Sequence, residues 1–252
     1  MKLDFNGKVA VVTGAARGIG RAAAEAFAES GAKVIVGDID EVKGKEVAAG
    51  INGEAKFVKL DVSDSESVQN MVEKARELYG TIDILVNNAG IFYTEDVVDT
   101  PEEEWDKLMG VNLRGAYLCS HYVVPEMQKQ GSGVVINIAS EAGLVGIGGQ
   151  VAYNVSKAGM ISMTKSMAVD HAEDGIRVNA VCPGTSETPL FLNALDEADN
   201  PEELRNKYEQ IRPLNRLGEP REIAAAILAM ASEELGYATG SVLSIDGGYT
   251  AQ

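Results

Sequence analysis

Tyr153 and Lys157 stand four residues apart in Tyr153-Asn154-Val155-Ser156-Lys157, and Ser140 precedes them in Asn137-Ile138-Ala139-Ser140. If residues 149–173 form a helix, positions i and i+4 lie one turn apart on the same face. A phenol and an ammonium would then point the same way. A free tyrosine titrates near ~10, too high for a base at neutral pH. A fixed positive charge beside it favours the phenolate and is expected to hold that value down. Such a pair is an acid–base device for an alcohol or a carbonyl. A tyrosine and a lysine often share a helix face by chance, so the reading depends on the rest of the chain.

The elements that would position these groups begin at the N-terminus. Lys8-Val9-Ala10-Val11-Val12-Thr13 is short, apolar and β-branched, and reads as a buried strand. Gly14-Ala15-Ala16-Arg17-Gly18-Ile19-Gly20 follows, then an alanine-rich helix to about Ser30. Strand, glycine turn and helix together present backbone N–H groups and a helix N-terminus to a phosphate. Gly14 would allow the tight turn, and Gly18 and Gly20 the close approach of ligand and helix. The spacing is GxxxGxG rather than GxGxxG. A second strand, Lys33 to Gly37, ends at Asp38, where a carboxylate can accept bonds from ribose hydroxyls.

Further along, strands are expected near 8–13, 33–37, 56–60, 82–86, 133–139, 176–181 and 241–245. Helical patterns lie near 18–30, 40–50, 64–79, 101–128, 149–173 and 219–232. The alternation predicts one α/β domain over 1–252 with a doubly wound parallel sheet of about seven strands. One irregular insertion, 185–216, carries a helical pattern at 201–210 and has the length of a lid or binding loop. The acidic runs after Pro101 and Pro201 read as helix N-termini, where carboxylates complement the dipole.

Composition bounds the function. With 252 residues, 45% of them hydrophobic, the chain can bury a sizeable core. Its 22 basic and 38 acidic residues give a formal charge of −16, which repels nucleic acid and anionic membranes. No apolar run spans a bilayer, and the start lacks a secretion signal. The two cysteines, Cys119 and Cys182, suggest no disulfide framework, so a reduced cytoplasmic setting is expected. His121 and His171 are far apart on helical patterns, and no metal site is expected.

The chain resembles the short-chain dehydrogenase/reductase family over essentially its whole length. The matching residues are Thr13-Gly14, Gly18-Ile19-Gly20, Asp61-Val62, Asn87-Asn88-Ala89-Gly90, Asn112, Ser140, Tyr153, Lys157, Pro183-Gly184 and Asp246-Gly247-Gly248. The resemblance implies a Rossmann-like fold and hydride transfer between a nicotinamide cofactor and a secondary alcohol or ketone. Ser140 would bond the substrate oxygen, and Tyr153 would take or give its proton. Lys157 would keep the phenol's pKa low and hold the nicotinamide ribose. Asn112 would hold a water that relays protons from Lys157.

The resemblance also distributes the cofactor contacts. Asp61 and Val62 would flank the adenine, and Asn87, Asn88, Ala89 and Gly90 would line the cofactor and steady the sheet. Pro183 and Gly184 would pass beside the nicotinamide, and Thr188 would hold its carboxamide. Ser186 stands where a β-branched apolar residue is common. Asp38, followed by Ile39, would repel a 2′-phosphate and favours NAD, whereas Arg17 could reach such a phosphate.

Tyr93, Glu141, Ala142, Gly146, Gln150 and the 185–212 stretch are the candidates to surround the substrate. They suit a polyol, a sugar, a hydroxy acid or another secondary alcohol. Glu187, Phe191 and Leu192 would form part of the lid. Two alternatives are an NADPH-dependent reductase of acyl-carrier-linked ketones and a non-catalytic dinucleotide-binding regulator. The resemblance further implies a homotetramer, or less often a dimer, packed through the helices near 101–128 and 149–173.

Overall fold

Seven short apolar segments assemble into one parallel sheet in a computed structural model that describes residues 3–196 and 198–252. The strands are β1 (Val9–Thr13), β2 (Lys33–Asp38), β3 (Ala55–Lys59), β4 (Ile84–Asn87), β5 (Gly133–Ile138), β6 (Ile176–Pro183) and β7 (Val242–Ile245). Their order is β3-β2-β1-β4-β5-β6-β7. Every residue of β1 and β4 is buried, as expected for strands covered on both faces.

The helices are α1 (Gly18–Glu29), α2 (Glu41–Gly50), α3 (Ser65–Tyr79), α4 (Glu102–Met109), α5 (Gly115–Gln130), α6 (Val151–Asp170), α7 (Pro189–Asp196), α8 (Pro201–Gln210) and α9 (Pro220–Ala231). Local chemistry sets their ends. The Asp40 side chain caps α2 by accepting from Lys43 N, and Asp64 caps α3 through Glu66 N and Ser67 N. Gly80 and Gly131 close α3 and α5 in the left-handed conformation. Pro201 and Pro220 open their helices.

Two cores sandwich the sheet. On one face Ala23, Ala24 and Phe27 of α1 pack with Ile223, Ala224 and Ile227 of α9. On the other, Val68 and Met71 of α3 meet Leu118, Val123 and Met127 of α5. A buried polar chain crosses the centre: Asn87 Nδ2 donates to Asn137 Oδ1 at 2.8 Å, and Asn137 Nδ2 donates to Thr164 Oγ1 at 2.9 Å. Asn87 therefore steadies the sheet from inside it, 2% exposed, rather than lining a ligand surface.

Two elements differ from the sequence expectation. The single helix expected over 101–128 is interrupted by a π-helical turn, Gly110–Arg114, which re-aims Asn112 inward. The 185–216 segment holds α7 as well as α8. The reading missed α7 because its run, Pro-Leu-Phe-Leu-Asn-Ala-Leu-Asp, is short and apolar.

Because all strands run parallel, their C-terminal ends share one edge. The order reverses between β1 and β4, and the crevice at such a switch point is where open α/β sheets bind ligands.

Candidate active site

The edge gathers the chemistry-bearing residues. β5 ends at Ile138, and Ser140 caps the short turn Glu141–Gly143, its Oγ accepting from Ala142 N at 3.2 Å. A Cβ on Gly143 would stand 2.8 Å from the Lys157 carbonyl, so this turn rests directly on the α6 backbone. That contact brings the Ser140 hydroxyl into the neighbourhood of the Tyr153 phenol, where it favours the phenolate. Lys157 Nζ lies 5.6 Å from the centroid of the Tyr153 ring and donates to Ile138 O at 2.8 Å. Phe92, which the sequence reading missed, packs edge-on against Tyr153 with centroids 4.9 Å apart.

The electrostatics differ from the expectation in direction. Burial pushes the Tyr153 phenol up to about 12, with the Ser140 hydrogen bond opposing and the Glu141 charge adding. Burial pulls Lys157 down to about 8. The reason is geometric. The ammonium donates to the Ile138 carbonyl and sits over the tyrosine ring, while burial governs the phenol.

Asn112 is fully buried beside these groups. Its Oδ1 accepts from Ile91 N at 2.8 Å, and its Nδ2 donates to Ile91 O at 2.9 Å and Ser156 Oγ at 3.3 Å. The side chain thus braces the loop after β4. A Cβ on Gly90 would come within 3.3 Å of Asn112 Oδ1 and 3.7 Å of Lys157 Nζ.

The glycine turn is held from below. Thr13 Oγ1 accepts from Asn88 N and Ala89 N, each at 3.0 Å. Asn88 Nδ2 donates to Thr13 O at 2.9 Å and Gly14 O at 3.1 Å. Gly14 and Gly18 adopt φ of 64° and 52°, where only glycine is unstrained. Ile19 follows in the first turn of α1. Gly20 is required for packing: a Cβ there would fall against Gly14 O and Asn88 Nδ2. Gly20→Ala is expected to destabilise the fold by ~1–3 kcal/mol and to weaken dinucleotide binding. A thermal melt with and without dinucleotide checks both, and an unchanged melting temperature would count against this packing.

Asp38 stands at the end of β2. Its Oδ2 accepts from Ala16 N at 2.8 Å and its Oδ1 from Asp40 N at 2.9 Å. Arg17 is paired with Asp40, and Ile39 is exposed. Asp61 Oδ1 accepts from Ser63 N at 2.9 Å and Ser63 Oγ at 2.6 Å, while Val62 packs against Gly115.

Pro183 ends β6, and Gly184 is crowded by Asp246 and by Glu141 Oε2, each 2.7 Å from where its Cβ would stand. Ser186 Oγ donates to Gly184 O at 3.0 Å, so this departure from the apolar pattern closes a local turn. Thr188 Cγ2 lies 3.3 Å from the Cβ position of Gly18, which brings the 185–216 segment onto the glycine turn.

The substrate-side expectations fare unevenly. Ala142 and Gln150 are buried near the start of α6, and Tyr93 is half-buried next to Phe92. The Glu141 carboxylate is 2.6 Å from Arg212 Nη2 in a buried ion pair. Arg212 went unnoticed in the sequence, since nothing local marks it. Glu187 pairs with Arg205 at 2.7 Å, and Phe191 joins Leu195 and Leu217 in a small core within the segment. His171 bonds Asp174, His121 stacks on Tyr117, and among the described residues no cluster of metal-ligating side chains occurs. Among the described residues, no helix is long and apolar enough to cross a membrane.

Residues 14–250 match the family model described as Enoyl-(Acyl carrier protein) reductase. The chain is 44% identical to the 3-oxoacyl-[acyl-carrier-protein] reductase FabG of Thermotoga maritima, covering 98% of this chain and 99% of that protein. It is 37% identical to a meso-2,3-butanediol dehydrogenase of Serratia marcescens, over 99% of this chain and 97% of the other. The crystal structure of levodione reductase superposes with a TM-score of 0.95 at 35% identity, covering 98% of this chain and 99% of that one. With the sheet order, the glycine turn and the Ser140, Tyr153 and Lys157 cluster already in place, these likenesses decide the matter: the chain belongs to the short-chain dehydrogenase/reductase family of oxidoreductases.

Proposed function

We propose that this chain is an NAD-dependent dehydrogenase of uncharged secondary alcohols, with diols and polyols the foremost class. The observation that carries the reading is the meeting of Ser140, Tyr153 and Lys157 beside a glycine turn backed by the Asp38 carboxylate. The turn fits a dinucleotide, since side chains at Gly14 or Gly18 would be strained and the turn leads directly into the N-terminus of α1, where backbone N–H groups can meet a phosphate. Gly14, Gly18, Ile19 and Gly20 would hold the pyrophosphate. Asp38 and Ile39 would meet the adenosine ribose, and Asp61 and Val62 the adenine. Asn88, Ala89, Gly90 and Lys157 would line the middle of the cofactor, and Pro183, Gly184, Ser186 and Thr188 its nicotinamide end.

When bound, the nicotinamide supplies the hydride acceptor for oxidation and the donor for reduction. The chain's own residues do the rest. The Ser140 hydroxyl fixes the substrate oxygen. The Tyr153 oxygen takes the alcohol proton in one direction and returns it in the other. With its pKa raised to about 12, Tyr153 holds its proton at neutral pH, which suits ketone reduction. Alcohol oxidation needs the phenolate, so its rate is expected to climb as pH rises. The 185–216 segment acts as a lid over the substrate.

NAD is favoured over NADP by charge. The Asp38 carboxylate opposes a 2′-phosphate, and Arg17, the residue that would have neutralised one, is engaged by Asp40. Charge also speaks for a neutral substrate. In the lid, Arg205 pairs with Glu187 and Glu209, Arg212 with Glu141, and Arg216 with Glu222. The described lid arginines are therefore already neutralised, which counts against sugar acids and hydroxy acids. The butanediol dehydrogenase relative supports the diol class.

The second reading, an NADPH-dependent reductase of acyl-carrier-linked ketones, has the FabG relative in its favour. The charge of −16 and the paired lid cations oppose docking of an acidic carrier. Exposed Tyr117 on α5 and Val155 and Val169 on α6 fit self-association as a homotetramer, in the cytoplasm. A screen at 340 nm of NAD and NADP against neutral diols, polyols, hydroxy acids and an acyl-carrier ketone tests the proposal. The expected result is turnover of NAD with a neutral diol or polyol, faster in alkaline buffer. Turnover confined to NADPH and the acyl-carrier ketone would overturn it.

A further inference from the structure

Ser140 is followed directly by Glu141, whose carboxylate lies beneath Gly184 with Oε1 2.6 Å from Arg212 Nη2. Arg212 is only 2% exposed. Its guanidinium also donates to Thr185 Oγ1 at 2.7 Å and to the Tyr208 carbonyl, and it lies 5.3 Å from the Tyr249 ring. One side chain thus ties together the turn that carries Ser140, both ends of the 185–216 segment and the C-terminal turn. Glu141 Oε2 and Arg212 Nε are buried without a hydrogen-bond partner. Two buried polar atoms without protein partners make this ion pair a poor stabiliser, because desolvation offsets the attraction. Its placement, one residue from Ser140, gives it a different use.

We propose that Glu141 and Arg212 are positioning residues: the pair clamps the 185–216 segment onto the turn that carries Ser140 and so fixes the Ser140 hydroxyl against Tyr153. The proposal rests on the dehydrogenase reading above. Neither residue needs to touch substrate; each acts through Ser140. A loosened clamp lets Ser140 drift, and small misplacements of an orienting group slow turnover more than they weaken binding.

The charged and titratable groups facing Glu141 are Arg212 from the segment, Asp246 from the C-terminal turn and Tyr153 from α6. Burial pushes the Glu141 carboxyl up to about 7, with Arg212 opposing and Asp246 adding. Protonation therefore falls in the neutral range. It removes the charge that holds Arg212, so the fall of alcohol oxidation toward acid is expected to steepen by one further proton below pH about 7, an added acid limb.

The test compares wild type, Glu141→Gln, Arg212→Gln and the double variant by kcat and KM from about pH 5.5 to about 9. Limited trypsin digestion at Arg205 and Lys207 in α8 reads the clamp without any substrate. Each single variant is expected to lose ~10-fold or more in kcat with little change in KM, and to be cut ~10-fold faster. The acid limb near neutrality should vanish in Glu141→Gln, and the double variant should be no worse than the poorer single. Independent, multiplying losses, an unmoved acid limb or unchanged digestion would each overturn the proposal. If the single variants fail to fold, the double variant removes both buried charges together and carries the comparison. A wild type that turns over no alcohol would sink the dehydrogenase reading, while the digestion rates would still decide the clamp.

Discussion

Tyr153→Phe should abolish most turnover, lowering kcat by ~10²–10⁴-fold, the usual worth of a positioned acid–base group. The substitution removes one oxygen and leaves the ring. That ring keeps its edge-on contact with Phe92 and its place under Lys157 Nζ, so the fold and the glycine turn should be unaffected. Dinucleotide binding, followed by quenching of Trp105 or by the fluorescence of the reduced cofactor, should stay within about threefold of wild type. A variant that retains most of its kcat would remove Tyr153 from the chemistry.

Cofactor choice should turn on Asp38. Replacing it with Asn keeps an acceptor for Ala16 N or Asp40 N but removes the charge that opposes a 2′-phosphate. Charge-assisted bonds to ribose hydroxyls are worth ~1.5–3 kcal/mol each, so NAD should lose ~10–100-fold in kcat/KM. NADP should gain, and Asp38→Asn with Ile39→Arg should carry the NAD-to-NADP ratio through ~10²–10⁴. Ile39 is exposed, so an arginine there has room to reach a phosphate. Parallel kcat/KM measurements with both cofactors decide the point. A ratio that does not move would mean that Asp38 serves only the Ala16 and Asp40 amides.

The local signals were legible because they are written in adjacent residues. The β-branched runs and the alternation of period marked all seven strands. The acidic first turns after Pro101 and Pro201 marked helix starts. Ser140, Tyr153 and Lys157 were identified from spacing and resemblance, and the turn packed on α6 brings them together. What escaped was tertiary. Glu141 and Arg212 lie 71 residues apart, and no periodicity links them. The π-helical turn at Gly110–Arg114 has no composition of its own and follows from packing around Asn112. The direction of the Tyr153 shift is set first by burial, which exists only once the chain has folded.

The partnership of α1 with α9 has a consequence for biosynthesis. α1 is complete once residue 29 is made, and α9, which covers its Ala23, Ala24 and Phe27, ends at residue 231. A nascent chain can lay down β1 to β6 in turn, each strand beside one already present, while that apolar face stays bare. The ribosome-bound intermediate therefore carries a sticky surface until α9 emerges. Premature stops before α9 would release a nearly complete sheet that aggregates.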